Sequence, residues 1–237
     1  MITRCYTFLP GVSSKTQSKI HGDWSHFLQV KRVPGISIKR KLLYDRMLME
    51  AIDAYKNRNS SYFVKAFPPS EHWRLWELFK DSALFLDIEI AKRNDILVIG
   101  VSDGEYNKTL VKGFTLDKQE LQNILSRCSL LITFNGSSFD IPILERFFGT
   151  TLNIPHIDLK HLCAKVGLIG GLKEIEKQVG ISRPTHLIGS PTDAWRAYIA
   201  SGDAEYLELI VEYNKWDCQS LYEIMKICYQ KRTNNLY

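Results

Sequence analysis

The 237-residue chain lacks the features that mark several large classes of protein. It has no apolar run near the ~18 residues that a membrane-spanning helix needs. Arg4, Pro10 and Gly11 interrupt the apolar residues near Met1, which argues against a secretory signal. The five cysteines form neither Cys-x-x-Cys pairs nor a zinc-ligand spacing, which favours a reducing compartment. We therefore expect a cytoplasmic protein without a membrane segment.

Signals for a bound nucleotide cofactor or for disorder are also missing. Gly167, Gly170 and Gly171 do not form a phosphate-binding loop pattern. Hydrophobic residues make up 45% and charged residues 24% of the chain, which supplies a core and a solvated surface and excludes wholesale disorder. His156 and His161 lie five residues apart, but surface or packing roles fit them better than metal binding.

Positive charge is concentrated in the first third of the chain. Residues 1–80 contain 14 Lys and Arg against 6 Asp and Glu, a net charge of +8, whereas residues 81–237 carry a net −3. This asymmetry predicts a small basic helical module over 1–80 that contacts a polyanion, beside a domain over 81–237 that concentrates carboxylates. An ordinary solvated basic surface is the alternative.

Two Pro-Gly turns, each followed by a helix start, occur within the basic module. They span residues 9–13 and 33–37, where Ser13 and Ser37 can cap helices whose first amides suit a phosphate. The first copy resembles a helix-hairpin-helix element that contacts DNA backbone; capped helices that only pack are the alternative. The candidate nucleic-acid contacts are the cations after the turns: Lys15, Lys19, Lys39, Arg40 and Lys41.

The rest of the module is predicted to be helical and to end in a short linker. A helix is expected over 41–57, and Ser70 is a candidate N-cap for a second, shorter helix. In that shorter helix, Trp73, Trp76 and Phe79 recur at helical spacing, and such an aromatic stripe is more often core than a surface that stacks bases.

From residue 83 the spacing of apolar residues becomes that of strands, and later of alternating strands and helices. This order predicts an α/β domain with a mixed sheet covered by helices, largely helical after about residue 140. The first predicted strand opens with residues 83–86, and the later strands are predicted at 96–101, 109–115 and 130–134. The predicted helices are 117–127 and one beginning near 139.

Two acids stand in the first of these strands. Asp87 and Glu89 are two residues apart, so alternation along a strand sends both side chains to one face. Charged side chains in an apolar strand are costly unless a cation neutralises them. A strand end whose polar face meets water is the alternative explanation.

Further acids stand at two later places. Asp140 ends a polar turn over 135–140 that follows another apolar strand, where open α/β sheets bind ligands, although capping of the next helix would also explain it. Tyr213 and Asp217 are four residues apart, which places a phenol and a carboxylate on one helix face.

Taken in this order, the three segments resemble the three exonuclease motifs of the DEDD superfamily, in its Tyr-bearing subclass. More narrowly, Gly170-Gly171-Leu172-Lys173, the 195–203 stretch and Tyr213-Asn214-Lys215 resemble the YprB-type RNase H-like domain, over roughly residues 80–230. One departure is Ile90 and Ala91 after Glu89, where many members have Thr or Ser.

The resemblance implies a fold, an activity and roles for residues. It implies an RNase H-like domain that hydrolyses phosphodiester bonds of DNA or RNA from a 3′ end with two Mg²⁺ or Mn²⁺ ions. Asp87 would bridge both ions, Glu89 and Asp217 would complete the shell of one, and Asp140 would act mainly through the other. Tyr213 would orient the attacking water.

Two alternatives remain at this stage. Asp158 could support the metal site, but a cap for the following helix suits it better. The whole chain could instead be a nucleic-acid-binding or scaffolding module whose nuclease site is vestigial, against which the four acids and Tyr213 argue. We expect a nucleic-acid partner and no membrane; the sequence names no protein partner and does not choose between DNA and RNA.

Overall fold

The computed structural model describes residues 1–91 and 95–234, apart from the side chain of Ile188. The described residues form two compact units. The first contains Met1–Lys80 together with Asn153–Pro155, and the second contains Asp81–Leu152 together with the described chain from His156 onward. Among the described residues, none belongs to a helix long and apolar enough to cross a membrane.

The first unit is helical and is built around aromatic side chains. Trp24 is fully buried and its indole N–H donates to the Cys5 carbonyl at 2.8 Å, while Phe8 stacks on Phe67 with ring centroids 4.2 Å apart. Its α-helices are α1 (Ser14–Gln17), α2 (Trp24–Gln29), α3 (Ile38–Lys56), α4 (Ser60–Ala66) and α5 (Trp76–Phe79), with 3₁₀ turns at Ile2–Arg4 and Pro69–Leu75. A further 3₁₀ turn, Lys80–Ser82, includes the last residue of this unit and the first two of the second.

Both predicted turns of the first unit precede a capped helix. Gly11 and Gly35 adopt the left-handed conformation, with φ of 76° and 78°. The Ser13 side chain accepts from the Thr16 amide and the Ser37 side chain accepts from the Arg40 amide, so both predicted caps are confirmed. The helix expected over 41–57 begins earlier, at Ile38, because it is continuous with the turn that Ser37 caps. α1 is only one turn long, whereas α3 has 19 residues.

The expectation for Lys41 as a phosphate contact is wrong. Its side chain is buried: the ammonium donates to Asp45 at 2.6 Å and lies 4.8 Å from the centre of the Phe27 ring. A lysine that is already paired and desolvated offers little to a polyanion. The other four predicted cations, Lys15, Lys19, Lys39 and Arg40, are exposed.

A mixed sheet lies at the centre of the second unit, as the sequence predicts. Within the described chain the strand order is β3-β2-β1-β4-β5, with β1, β2 and β3 antiparallel and β4 and β5 parallel to β1. Every residue of β2 is buried, which its continuous apolar run explains. The strands are β1 (Ala83–Ile90), β2 (Ile96–Ser102), β3 (Asn107–Val111), β4 (Leu130–Thr133) and β5 (His156–Asp158).

Helices flank this sheet, and the last of them is the longest. It packs against the three antiparallel strands, where Ile210 meets a buried cluster that includes Leu97, Val98 and Val111. The helices are α6 (Lys118–Ser126), α7 (Asp140–Phe148), α8 (Leu159–Lys165), α9 (Leu172–Val179), α10 (Pro191–Ser201) and α11 (Ala204–Asn234), with a 3₁₀ turn at Thr185–Ile188.

Three local predictions differ from the structure. β5 was not predicted, because three residues are too few to show alternation. β3 ends at Val111, earlier than predicted, because the chain turns at Gly113 with a φ of 78°. Ser70 is not an N-cap; it lies inside a 3₁₀ helix that begins at Pro69. The predicted stripe of Trp73, Trp76 and Phe79 is buried, as expected of a core.

Candidate active site

Strand β1 presents Asp87 and Glu89 on one face of the sheet. The residue between them, Ile88, is buried, while both acids are half-buried, which is the alternation that the sequence predicts. In the antiparallel ladder, Asp87 lies directly opposite Gly100 of β2.

Asn214 of α11 fixes the orientation of Asp87. Its side-chain amide donates to Asp87 Oδ2 at 2.8 Å and to the Asp87 carbonyl at 3.1 Å. Gly100 makes the room for this contact, because a Cβ atom there would lie 2.0 Å from Asn214 Oδ1. Asn214 belongs to the Tyr213-Asn214-Lys215 resemblance, which implies no role for its side chain.

The same helix brings a third acid to β1. One carboxylate oxygen from each of Asp87, Glu89 and Asp217 lies within 4.8 Å of the other two. Divalent cations such as Mg²⁺ and Mn²⁺ prefer carboxylate oxygens, so this triad has the chemistry and the spacing of a metal site. The structure thus brings together three of the four predicted metal ligands.

Asp140, the fourth predicted ligand, lies beside the triad without belonging to it. It begins α7, and its Oδ1 accepts from the backbone amide of Ile88 at 3.1 Å, so the acid is tied to the strand between Asp87 and Glu89. Gly136 permits this approach, since a Cβ there would lie 3.0 Å from Asp140 Oδ2 and 1.9 Å from Thr133 Oγ1. The N-cap of this helix is Phe139, which offers no side-chain cap, whereas the Asp140 side chain accepts a hydrogen bond from its own backbone amide in the first turn.

Withdrawal from water raises the pKa of all four acids, and repulsion by the other site acids adds to the shift at Asp87 and Glu89. Burial, then the charges of Asp217, Glu89 and Asp140, raise the pKa of Asp87 well above its usual range. The same effects raise the pKa of Glu89 to about 8. Burial raises the pKa of Asp140 to about 7 and that of Asp217 to about 6, with Arg183 opposing the shift at Asp217. A bound cation would favour the ionised forms and relieve this repulsion.

A buried ion-pair network reaches the triad through Arg183. The Arg183 guanidinium donates to both carboxylate oxygens of Glu176, at 2.8 and 3.0 Å, and also to Asp217. Glu176 is 1% exposed and accepts from the Trp216 indole at 3.1 Å. Asp217, a residue of α11, is therefore oriented by Arg183, which is itself paired with Glu176 of α9.

The sequence contained a faint signal for this network that the motifs did not capture. Glu176 shares the apolar face of α9 with Leu172 and Val179, at i+4 and i+7 from the first, where an acid is out of place unless it is paired. Its partner Arg183 lies beyond the end of the helix, and nothing in the local pattern predicts that contact.

Tyr213 lies one helical turn before Asp217, as predicted, and two cationic side chains lie near its ring. Arg183 Cζ is 4.9 Å and Lys173 Nζ is 5.3 Å from the centre of its ring, within the range of cation–π attraction. Burial, followed by the charge of Asp217, raises the pKa of Tyr213 above its ordinary value. The phenol is therefore protonated at neutral pH and available as a hydrogen-bond donor.

Asp158 is a cap, as the sequence favoured, and it also shapes the turn before Asp140. It accepts from the backbone amides of Lys160, Asn135 and Ser137, at 3.1, 2.8 and 3.0 Å. Burial alone would raise the pKa of Asp158, but the bonds from Ser137 and Asn135 outweigh it and hold the pKa below the usual value. Asn135 has a φ of 64°, so these bonds help to stabilise a strained turn.

The two histidines of the sequence analysis, His156 and His161, lie outside the acidic triad. The Nε2 atom of His156 is 2.9 Å from Thr133 Oγ1, and the side chain of His161 is 72% exposed. Neither contributes to the metal-spaced group found in the described part of the chain.

Comparison with known proteins agrees with this geometry. A family model of the RNase H superfamily, RNase_H_2, matches residues 84–229, which include both acids of β1, Asp140, Tyr213 and Asp217. A comparison with curated proteins gives no match.

Proposed function

The chain belongs to the RNase H superfamily, and on that premise we propose that it is a 3′→5′ exonuclease of the Tyr-bearing DEDD class, of the YprB type, acting on DNA or RNA. The general function, a metal-dependent nuclease with a carboxylate metal site, is supported by both the family and the acidic triad. Direction, subclass and metal number belong to the proposal.

The observation that carries the proposal is the acidic triad itself. Three carboxylates whose oxygens lie within 4.8 Å, with pKa values raised by burial and repulsion, form a site that a divalent cation stabilises. Asp87, Glu89 and Asp217 would hold one ion, and Asp87 with Asp140 would hold a second. When bound, such ions activate a water molecule and stabilise the charge that develops on the phosphate.

The chain's own side chains have positioning roles around these acids. Asn214 orients Asp87, the Ile88 amide orients Asp140, and Arg183 orients Asp217. Tyr213, protonated and four residues from Asp217, would donate a hydrogen bond that orients the attacking water. Electrostatic preorganisation of this kind is what accelerates phosphoryl transfer, because little covalent chemistry falls to the protein.

Digestion of end-labelled, single- and double-stranded DNA and RNA tests the proposal. With Mg²⁺ or Mn²⁺, we expect mononucleotides released stepwise from the 3′ end, and no products with EDTA. Asp87→Ala, Asp140→Ala and Asp217→Ala should each lower the rate on the order of 10²-fold or more. Glu208→Ala is the matched control, since Glu208 is exposed on the helix that carries Asp217. Full activity in EDTA or in any of the three acid variants would contradict the metal assignment.

One observation favours the alternative of a binding module with a vestigial site. Arg183 already neutralises Asp217, so a guanidinium could replace a cation at that acid. Calorimetric titration separates the two functions. A nuclease site binds Mn²⁺, and Asp87→Ala abolishes the binding, whereas a vestigial site binds neither Mn²⁺ nor Mg²⁺ yet leaves nucleic-acid affinity unchanged in EDTA.

A further inference from the structure

Lys173 is a cation beside the acidic site to which the proposed function assigns no role. It is the second residue of α9 and is half-buried. Its Nζ atom lies 5.3 Å from the centre of the Tyr213 ring and donates to the Gly189 carbonyl at 3.5 Å. Burial is the largest effect on the pKa of both Glu89 and Asp217 and raises it, whereas the charge of Lys173 lowers it. The ammonium is therefore within electrostatic reach of the triad.

The start of α9 holds the backbone of Lys173 in place. Gly171 is the N-cap, and its amide donates to Glu174 Oε2 at 2.9 Å, which closes the first turn of the helix. A Cβ atom at Gly171 would lie 2.7 Å from that oxygen, so the contact requires a glycine. Lys173 therefore extends towards the acids from a fixed point.

A lysine at this position is electrostatically costly in the absence of an anion. The aligned peptide dipoles make the first turn of a helix positive, so a cation there is unfavourable. Divalent ions held by the neighbouring acids would add a second repulsion. An anion bound next to Lys173 would relieve both, which favours a role in ligand recognition over a role in stability.

The charge balance of the site indicates which anion fits. The four site acids, when ionised, balance the charge of the two divalent ions in the proposed mechanism. Arg183 is balanced by its buried partner Glu176. Lys173 then adds one positive charge to the site, and a phosphodiester carries one negative charge. A single phosphodiester would therefore bring the loaded site to neutrality.

We propose that Lys173 is a further catalytic residue, whose ammonium donates a hydrogen bond to a non-bridging oxygen of the phosphodiester that is cut. The inference rests on the proposed function and adds the side chain that neutralises the charge of the substrate. These oxygens remain charged throughout phosphoryl transfer, so one contact serves both binding and the transition state. Because phosphates carry no sequence information, Lys173 acts alike on all sequences.

Two oligonucleotides that differ by one charge test this role without requiring turnover. One has an ordinary phosphodiester at its last 3′ linkage, and the other has an uncharged methylphosphonate there. In saturating Ca²⁺, Lys173→Met should weaken binding of the first ~10- to 100-fold, as expected for one hydrogen bond between charged groups, and should leave binding of the second unchanged. Fluorescence anisotropy measures both affinities, and thermal unfolding checks that the variant is folded.

Two further variants control for the charge and for the position. Lys173→Arg keeps the charge and should retain most of the wild-type affinity for the charged oligonucleotide. Lys177→Met removes an exposed lysine one turn later on α9 and should change neither affinity. No loss for either oligonucleotide in Lys173→Met would overturn the assignment. An equal loss for both would also overturn it and make Lys173 a packing partner of Tyr213.

Turnover of the charged oligonucleotide in Mg²⁺ separates this inference from the proposed function. Lys173→Met should cut more slowly than the wild type, whereas Lys177→Met should cut at the wild-type rate. If the wild type cuts nothing while the charge-dependent loss of binding persists, the exonuclease proposal fails and the phosphate contact stands. If the wild type and Lys173→Met release nucleotides at the same rate, the role of Lys173 fails and the exonuclease stands.

Discussion

At the scale of single residues, the acidic site depends on neighbours that are not acids. Asp87 is oriented by an amide, Asp140 by a backbone N–H, and Asp217 by a guanidinium. These contacts fix the side chains before any ion arrives, which lowers the reorganisation that metal binding requires.

Removal of the Tyr213 hydroxyl separates a catalytic role from a packing role. Tyr213→Phe should leave the fold and metal affinity unchanged and lower kcat about fivefold, since one hydrogen bond contributes about 1 kcal/mol. Single-turnover rates and calorimetric Mn²⁺ affinity provide the two readouts. Tyr198→Phe on α10 is the matched control. Wild-type turnover in Tyr213→Phe would make the residue a packing element.

Arg183 should contribute strongly to stability, because it pairs with two buried acids. Arg183→Met leaves Glu176 and Asp217 buried without their cation, which should lower the free energy of unfolding by ~3–5 kcal/mol at pH 8 without metal. At pH 5 the loss should shrink, because Asp217 can then be protonated. Urea unfolding measures both. Arg196→Met removes an exposed pair with Asp193 and should change stability by less than ~1 kcal/mol; equal effects of the two substitutions would contradict the neutralising role.

At the scale of elements, folding itself creates the repulsion among the acids. β1 contributes two of them, α7 one and α11 one, and these elements are far apart in an unfolded chain. The folded pKa values of Glu89 and Asp140, about 8 and about 7, lie above the unfolded values of about 4.3 and 3.9. The folded chain therefore holds protons that the unfolded chain has released between about pH 4 and pH 8.

Without metal, the free energy of unfolding should consequently fall as pH rises through this window. Urea denaturation in EDTA at pH 5.5 and pH 8.5 measures the change, and Mg²⁺ should restore stability at the higher pH because it binds the ionised acids. Glu89→Gln removes one titrating group and should flatten the dependence, whereas Glu208→Gln should not. A metal-free chain more stable at pH 8.5 than at pH 5.5 would show that the acids are not strained by their mutual charge.

The sequence predicted what depends on local spacing and missed what depends on distant partners. Alternation placed Asp87 and Glu89 on one face, and helical spacing aligned Tyr213 with Asp217. Asn214 pairs with a residue 127 positions away, and Arg183 with one 34 positions away, so neither contact has a local pattern. β5 was missed because a three-residue strand is defined by its ladder to β4 rather than by its own sequence.

At the scale of the whole molecule, the two parts of the chain carry net charges of opposite sign. Residues 1–80 carry a net +8 and contribute exposed cations next to capped helix starts, while the acids of the candidate site belong to the second unit. We propose that the first unit adds nucleic-acid affinity through phosphates rather than through bases.

Binding measured by fluorescence anisotropy across a salt series tests this role. Replacing Lys15, Lys19, Lys39 and Arg40 by Glu should weaken binding to all sequences alike and flatten the salt dependence, because fewer counterions are released. Lys15→Arg, Lys19→Arg and Lys39→Arg keep the charge and serve as the control. Unchanged affinity and slope in the charge-reversed chain would leave the first unit as a packing or protein-interaction element.

The glycine opposite Asp87 has a consequence for judging related sequences. A homologue could retain all four acids and the tyrosine and still be inactive if a single methyl group replaced the hydrogen at position 100, since that methyl would collide with the amide that orients Asp87. Intact motifs therefore do not by themselves distinguish a working nuclease from a degenerate copy. A diagnostic signature for this group should therefore require glycine at position 100 in addition to the four acids and the tyrosine.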